Sequence, residues 1–335
     1  MKLPAGKVPP KALRQIVLEH LGAKHEKVIV GPSPGLDGAV IEVGNKLLVT
    51  SMDPITGALE RIGWLAVNIN ANDVATFGVQ PAFFSSCILL PENSTENTLK
   101  NICMQIDSAA KKLGIAVTGG HSETTPNLPM PIIIGSCMGV TDKGHYVTAQ
   151  GGKAGNILIL TKSLGIEGTA ILAADKYDTL VKKIDKSVLE KAADFFSSIS
   201  VVREAVLAFK TGAVSAMHDP TEGGVAGGIH EMADVSNVGF KVYEERMPIA
   251  METRKICEFF QIDPLQLIAS GSLLIAVQKN HASTLVDLLQ ESQIMATIIG
   301  KLQQPQEKRQ IVRRNGRTEE LLRPHSDHLW QALEK

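Results

Sequence analysis

The sequence predicts an α+β chain of two domains, and three observations carry that expectation. Its 335 residues exceed one ordinary core and suit two. Short apolar runs of strand character alternate with longer stretches of helical spacing along the whole length. A glycine-rich break, AQGGKAG (149–155), interrupts the alternation just before a fresh strand, NILILT. We therefore expect one domain over residues 1–150 and a second over 151–335. Hydrophobic residues make up 44% and charged residues 21%, so there is apolar material for buried cores and disorder is not expected.

Pro9-Pro10 opens a first helix, with Leu13, Ile16, Val17 and Leu21 at helical spacing and Gly22 as its stop. AVIEV (39–43) and KLLVTSM (46–52), separated by Gly44-Asn45, read as a hairpin. A long helix follows from about Leu59 to Phe77, ended by Gly78. FFSSCILL (83–90) is a buried strand, and Ser94 to Leu113 is an amphipathic helix closed by Gly114. IAVTG (115–119) and PIIIGSCMGV (131–140) are further strands. Strands interleaved with two helices predict a ferredoxin-like layer. Beyond the break come helices around 186–211 and 223–236, strands near 239–243 and 272–277, then VDLLQE and MATIIG. The tail from Gln303 to Arg317 is charged and reads as a solvated loop and edge strand.

Composition narrows the function classes. The formal net charge is -1, from 34 basic and 35 acidic residues, which argues against an electrostatically driven nucleic-acid or membrane-surface binder. Only 4% of residues are aromatic, too few for extensive base stacking. Cys87, Cys103, Cys137 and Cys257 lie far apart without a CxxC pair and are expected to be packing residues. MKLPAGKVPPKALRQ lacks the apolar stretch of a secretory signal, and no run approaches the ~20 apolar residues of a bilayer span. A cytoplasmic protein is expected.

Four places carry candidate chemistry. In IGWLAVNINANDVATFG (62–78), Asn68, Asn70, Asn72 and Asp73 sit inside a helix that is otherwise apolar. At 100° per residue Asn70 and Asp73 lie about 60° apart on one side, and Asn68 and Asn72 about 40° apart on another. A ligand on one side explains this; one solvated polar face is the alternative. Asp37 in PSPGLDGAV and Asp53 in VTSMDPITG occupy turn or strand-end positions that suit Mg²⁺ and equally suit ordinary turns. TGGHSETT (118–125) follows a strand and offers Gly119 and Gly120 as a flexible pair, with His121 as a base, a ligand or a loop residue and Glu123 as a further hard ligand.

The fourth is MHDPTEGGVAGGIHE (217–231). Its glycines weaken a helix start by about 1 kcal/mol each, so something must require them. Free N–H groups of Gly223 and Gly224 could bind a phosphate, with Asp219 holding a bridging metal. Close helix-to-sheet packing is the alternative. ASGSLL (269–274) is placed to line the same cavity. Walker, GxGxxG, kinase and GxSxG signatures are absent, and His230-Glu231 is followed by Asp234 where a zincin needs histidine.

Together these residues resemble the aminoimidazole ribonucleotide (AIR) synthase superfamily. IGWLAVNINANDVATFGVQP is similar to its signature helix, GLDGAV to its GDDAAV turn, VTSMDPITG to its TTD strand end, and TGGHSE to its Gly-Gly-acid loop. HDPTEGG resembles the DPTRGG of the hydrogenase-maturation (HypE-type) branch. The resemblance covers nearly the whole chain in order. It implies a two-domain AIR-synthase-like α+β fold, with an N-terminal ferredoxin-like domain forming a β-barrel across a homodimer and a C-terminal α/β sandwich domain. It also implies ATP and Mg²⁺ as cofactors and transfer of the γ-phosphoryl group to an oxygen of a small substrate. Asp37, Asp53, Asp73 and Glu123 would be the metal acids, with Asp219, Gly223 and Gly224 closing the site; Asn70, Gly119 and Gly120 join the cofactor set, and His121 and His218 are candidate bases.

Departures from the family are informative. Leu36 stands where the turn has an aspartate. The chain ends HLWQALEK without the cysteine that carries the maturation branch's carbamoyl group, and no cysteine precedes Cys87, as selenophosphate synthetase would need. An enzyme that phosphorylates a small molecule or activates its amide is the leading reading. A nucleotide-binding partner protein in a maturation pathway is the alternative.

Overall fold

The computed structural model describes Leu3 and Gly6 to Lys335, apart from the side chain of Leu59. Two sheets organise the chain. The first contains β1 (Val28–Val30), β2 (Ala39–Val43), β3 (Lys46–Ile55), β4 (Pro81–Pro91), β5 (Ala116–Thr125) and β6 (Ile132–Asp142), in the order β1-β2-β3-β6-β4-β5. All its pairings are antiparallel except β4 with β5. The expected hairpin closes with Val43 opposite Lys46, and Gly44 takes φ 61°, the left-handed turn conformation that glycine adopts freely.

Helices α1 (Ile62–Thr76) and α2 (Glu96–Leu113) accompany this sheet. Thr95 caps α2 by accepting from Thr98 N–H at 3.2 Å, and Gly114 ends it in the left-handed region. α2 is amphipathic as expected, burying Ile102, Ile106, Ala109 and Ala110. In α1, by contrast, every residue but Trp64 is buried. It is sandwiched between the first sheet and the second half of the chain, and a helix enclosed on all sides reads apolar on all sides.

The second sheet contains β7 (Ile157–Thr161), β8 (Val214–His218), β9 (Gly239–Tyr243), β10 (Leu274–Val277), β11 (Ala296–Gln303), β12 (Arg309–Val312) and β13 (Thr318–Glu320), in the order β13-β12-β9-β11-β7-β10-β8. Around it lie α3 (Ile166–Asp175), α4 (Lys186–Ala193), α5 (Val202–Lys210), α6 (Gly224–Val235), α7 (Met251–Phe260) and α8 (Ala282–Glu291). Strand alternation serves two cores. Ile159, Ile275 and Val277 join a core continuous with α1 and the first sheet, whereas Leu158, Leu160, Leu274 and Ala276 pack with Val225, Ile229 and Phe240. The central strands are buried on both faces, which is why they are unbroken apolar runs.

Three features differ from expectation. The first helix is only Pro10–Ala12 followed by a π-helical turn, Leu13–Val17, and Ile16, Val17 and Leu21 stay exposed. Exposed apolar side chains contribute little burial to stabilise a longer helix. Cys103 is exposed on α2 and Cys87 half-buried, so only Cys137 and Cys257 are core packing residues. TGGHSETT is not a loop: β5 runs straight through it. No helix among the described residues is long and apolar enough to cross a membrane.

Candidate active site

Along β3 the odd-numbered positions face α1: Leu47 and Val49 are core, and Ser51 and Asp53 continue that row as polar residues toward the strand end. Asp73 on α1 meets them, accepting from the Ser51 hydroxyl at 2.5 Å. The asparagines of α1 explain themselves by what they hold. Asn70 accepts from Asp53 N–H at 2.8 Å and donates to Asp53 O at 3.2 Å and Ala66 O at 2.9 Å, fixing the backbone that carries the carboxylate. Asn72 accepts from Val201 N–H at 2.8 Å and donates to Ile199 O at 2.9 Å, tying α1 to the second half of the chain. Asn68 donates to Trp64 O one turn earlier.

From the other side, the end of β8 contributes His218 and Asp219, and α6 contributes Glu231. His218 Nδ1 lies 2.8 Å from Asp37 Oδ2, and Nε2 lies 2.9 Å from Glu231 Oε2. With a carboxylate at each ring nitrogen, both nitrogens donate and the ring is an imidazolium. Burial alone would lower its pKa, but Asp37 and Glu231 outweigh burial and hold it up to about 10. Glu231 is held down to about 2: burial opposes this, and Lys7 and His218 overcome it. Lys7 Nζ reaches Glu231 Oε1 at 3.2 Å, while its backbone N–H donates to Glu222 Oε2 at 2.7 Å. His218 therefore has no lone pair with which to act as a base; it organises two carboxylates.

Asp219 is fully buried, and neither carboxylate oxygen meets a donor from another residue. Burial and the Asp37 charge push it up to about 8, with His218 pulling partly back. Asp53 is pushed up to about 6 by burial, against the pull of Lys7, with Asp37 and Glu222 adding repulsion. Asp73 is raised by burial and by Asp53, Asp219 and Asp37. One ligand atom each from Asp37, His218 and Asp219 lies within 4.8 Å of the others. Since His218 is protonated, the ligand set on offer is carboxylate oxygen, which suits a hard cation.

A cavity of about 510 Å³ opens over this cluster, lined by Asp37, Asp53, Asp73, Ser51, Lys7 and Thr221. A second, of about 470 Å³, lies beyond Asp53 and shares Lys7, Asp53 and Thr221 with the first. Leu36 lines the first cavity, adding an apolar wall where another carboxylate is expected.

Gly223 and Gly224 answer a different need from the phosphate site expected of them. Gly223 N–H donates to Asp327 Oδ2 at 2.6 Å, so a carboxylate of the chain itself occupies the start of α6. A Cβ on Gly224 would stand 2.6 Å from the carbonyl oxygens of Leu265 and Leu267. Close packing is what demands these glycines. Gly119 and Gly120 lie in β5, where a Cβ on Gly120 would collide with Ser86 O of the neighbouring strand. His121 and Glu123 pair with each other at 3.1 Å on the exposed edge strand and line neither cavity.

Lys7, Glu222, Glu231 and Glu167 belong to this region without having been singled out from sequence. Glu167 and Glu231 were legible in principle, as acids inside the apolar helical runs IEGTAIL and GVAGGIHEMADV.

Two family models cover most of the chain: AIR synthase related protein, N-terminal domain, over residues 35–141, and AIR synthase related protein, C-terminal domain, over residues 153–313. The chain belongs to the AIR synthase related family. Asp37, Asp53 and Asp73 lie in the first matched span, His218, Asp219 and Glu231 in the second, and Lys7 in neither. Among relatives, a protein of Methanocaldococcus jannaschii named for hydrogenase expression and formation is 28% identical over 305 residues, 88% of each chain. Carbamoyl dehydratase HypE of Escherichia coli is 28% identical over 240 residues, 71% of this chain and 68% of that protein. The fold matches HypE from a HypE–HypF complex with TM-score 0.78 at 23% identity, covering 93% of this chain and 99% of that one. It matches HypE in complex with ATP with TM-score 0.73 at 20% identity over 98% of both chains. It also matches a ThiL complexed with AMPPCP and TMP, with TM-score 0.73 at 18% identity over 96% and 99%. The two-domain AIR-synthase-like architecture is thereby established.

Proposed function

We propose that this AIR synthase related protein is an ATP- and Mg²⁺-dependent enzyme that phosphorylates, or activates through phosphorylation, an oxygen of a small molecule. The observation that carries the reading is the convergence of Asp37, Asp53, Asp73 and Asp219, with both Asp219 oxygens unpartnered and Asp53, Asp73 and Asp219 raised by burial and by their acidic neighbours. Asp37, Asp53 and Asp73 line the cavity and Asp219 is buried among them; carboxylates that repel each other suit a divalent cation, and Mg²⁺ takes oxygen ligands shared with phosphates. These four residues would hold it, and the ion would supply neutralisation of phosphate charge. Lys7 adds a cation at the rim, and the His218 imidazolium keeps Asp37 aimed at the cluster. Transfer of this kind rests on positioning and charge neutralisation rather than on a protein nucleophile, and the cluster contains none.

The likeness to HypE bound to ATP and to a ThiL bound to AMPPCP supports a nucleotide here. Residues 1–150 and 151–335 are taken as the two domains. The outer face of the first sheet, with Met52, Phe83 and Val140 exposed, and the bare edge of β5 with its Val117 support a homodimer closed through these strands, which would bring a second copy's Glu123 into reach.

ATP turnover with candidate hydroxyl and amide acceptors tests the reading. Asp73→Asn should lower it on the order of 100-fold while the fold persists. Unchanged turnover would remove Asp73 from the site. The relatives named for hydrogenase maturation favour a second reading, an assembly partner that binds nucleotide. It requires nucleotide binding with no phosphate release toward any small acceptor.

A further inference from the structure

The cavity of about 470 Å³ beyond Asp53 has a function the acid cluster does not cover. Ile55, Leu65, Ile69 and Ile171 make it largely apolar, and a volume of this size suits a small metabolite. Yet its walls hold two poorly matched polar groups: the buried indole Trp330 Nε1 has no hydrogen-bond partner, and the buried Glu167 carboxyl has the neighbouring Ser270 hydroxyl beside it but no cation. Glu167 is 5% exposed and Ser270 1%. Buried polar groups are nearly always satisfied, so an indole N–H without an acceptor and a carboxyl without a cation around one cavity mark places where something else binds.

Charge identifies the chemistry. Asp53, Glu167 and Glu222 line the cavity against a single cation, Lys7, whose ammonium is already paired with Glu231. Burial pushes the Glu167 carboxyl up to about 7; neighbouring Ser270 pulls it partly back, and Asp327 and Glu222 add repulsion. A carboxylate in that position is stabilised by a donor that brings positive charge. The mostly apolar walls suit an organic cation better than a bare metal ion.

We propose that this cavity is the acceptor site and takes a small molecule bearing a protonated amine or similar cationic nitrogen, seated on Glu167 and Ser270. The Trp330 indole N–H donates to an oxygen of the same molecule. The acceptor's reactive oxygen then points to the seam of Asp53, Lys7 and Thr221, where the two cavities meet. This assignment rests on the ATP-dependent reading of the neighbouring cluster and names the substrate class for it. The helix His328–Leu333, which brings Leu329 and Trp330 to the wall, becomes part of the specificity apparatus.

The chain contains two tryptophans, Trp64 and Trp330, and Trp64 Nε1 is already donated to Phe196 O at 2.8 Å. In ¹⁵N-tryptophan-labelled full-length protein two indole cross-peaks result, assigned with Trp330→Phe. Titration with 4-aminobutan-1-ol should move the Trp330 peak saturably and leave Trp64 in place. The neutral analogue 1,4-butanediol should bind about tenfold more weakly or not at all. Glu167→Gln, and separately Ser270→Ala, should weaken the amine, Glu167→Gln by about tenfold or more. A Trp330 peak unmoved by the amine, equal response to the diol, or full affinity in Glu167→Gln would overturn the proposal. Titrating the same samples with Mg²⁺ and a non-hydrolysable ATP analogue separates the two claims. Nucleotide binding without amine binding rejects the acceptor site alone; amine binding without nucleotide rejects the ATP reading alone; binding of neither rejects both.

Discussion

Either side of Asp53, the protein handles buried charge in opposite ways. In the chain Asp37–His218–Glu231–Lys7 each ionised group meets an opposite one at hydrogen-bonding distance. Around Asp73, Asp219 and Glu167 acids neighbour acids, and both Asp219 oxygens lie buried with no donor from another residue. The paired set fixes geometry, and Asp37 belongs to both sets, paired with His218 and close to Asp219. The unpaired set is costly as it stands, and the cost is repaid when a cation arrives. Within one seam, pairing distinguishes scaffold from binding site better than burial or sequence position does.

Breaking the paired set should have the largest effect. His218→Ala leaves Asp37 and Glu231 facing each other without their cation and should cost about 3–5 kcal/mol in urea unfolding at neutral pH. In the unpaired set the sign reverses. Asp219→Asn removes a carboxyl whose folded pKa lies above its unfolded one, so the wild type loses stability as pH rises from about 4 to about 8. The variant should be the more stable protein at pH 8, on the order of 1–4 kcal/mol, with no difference near pH 4. Glu231→Gln should run oppositely. Its folded pKa, about 2, lies below the ordinary 4.5, so its contribution is present above about 4.5 and lost as pH falls toward 2. Cutting the tie between the halves with Asn72→Ala strands Val201 N–H and Ile199 O and should cost about 1–3 kcal/mol. The smallest effect belongs to Glu123→Gln, which should leave the melting temperature unchanged. A loss of Mg²⁺-nucleotide affinity in that variant would place Glu123 at the site of a second copy.

The fold was legible where a strand or helix has one partner surface. AVIEV, KLLVTSM and the α2 stretch fall where periodicity and caps put them, because each buries one face against one layer. Of the site, Asp37, Asp53, Asp73 and Asp219 were legible as acids at strand ends or in apolar surroundings. The glycines misled, because a backbone meeting another backbone and a backbone meeting a phosphate both require the loss of a side chain. Gly224 meets Leu265 and Leu267, and Gly120 meets Ser86. Lys7 was invisible for another reason: its partners Glu222 and Glu231 lie 215 and 224 residues away in sequence, beyond any local pattern. The π-helical turn at Leu13–Val17 shows the converse, helical spacing that leaves Ile16 and Val17 exposed.

The central claim is that the unpaired carboxylates await a metal-bound nucleotide. Calorimetric titration of a non-hydrolysable ATP analogue into wild type and Asp219→Asn, each with and without Mg²⁺, tests it most directly. Binding that depends on Mg²⁺ in the wild type and is lost in Asp219→Asn is the expected result. Equal binding without Mg²⁺, undiminished binding by the variant, or no binding at all would contradict it.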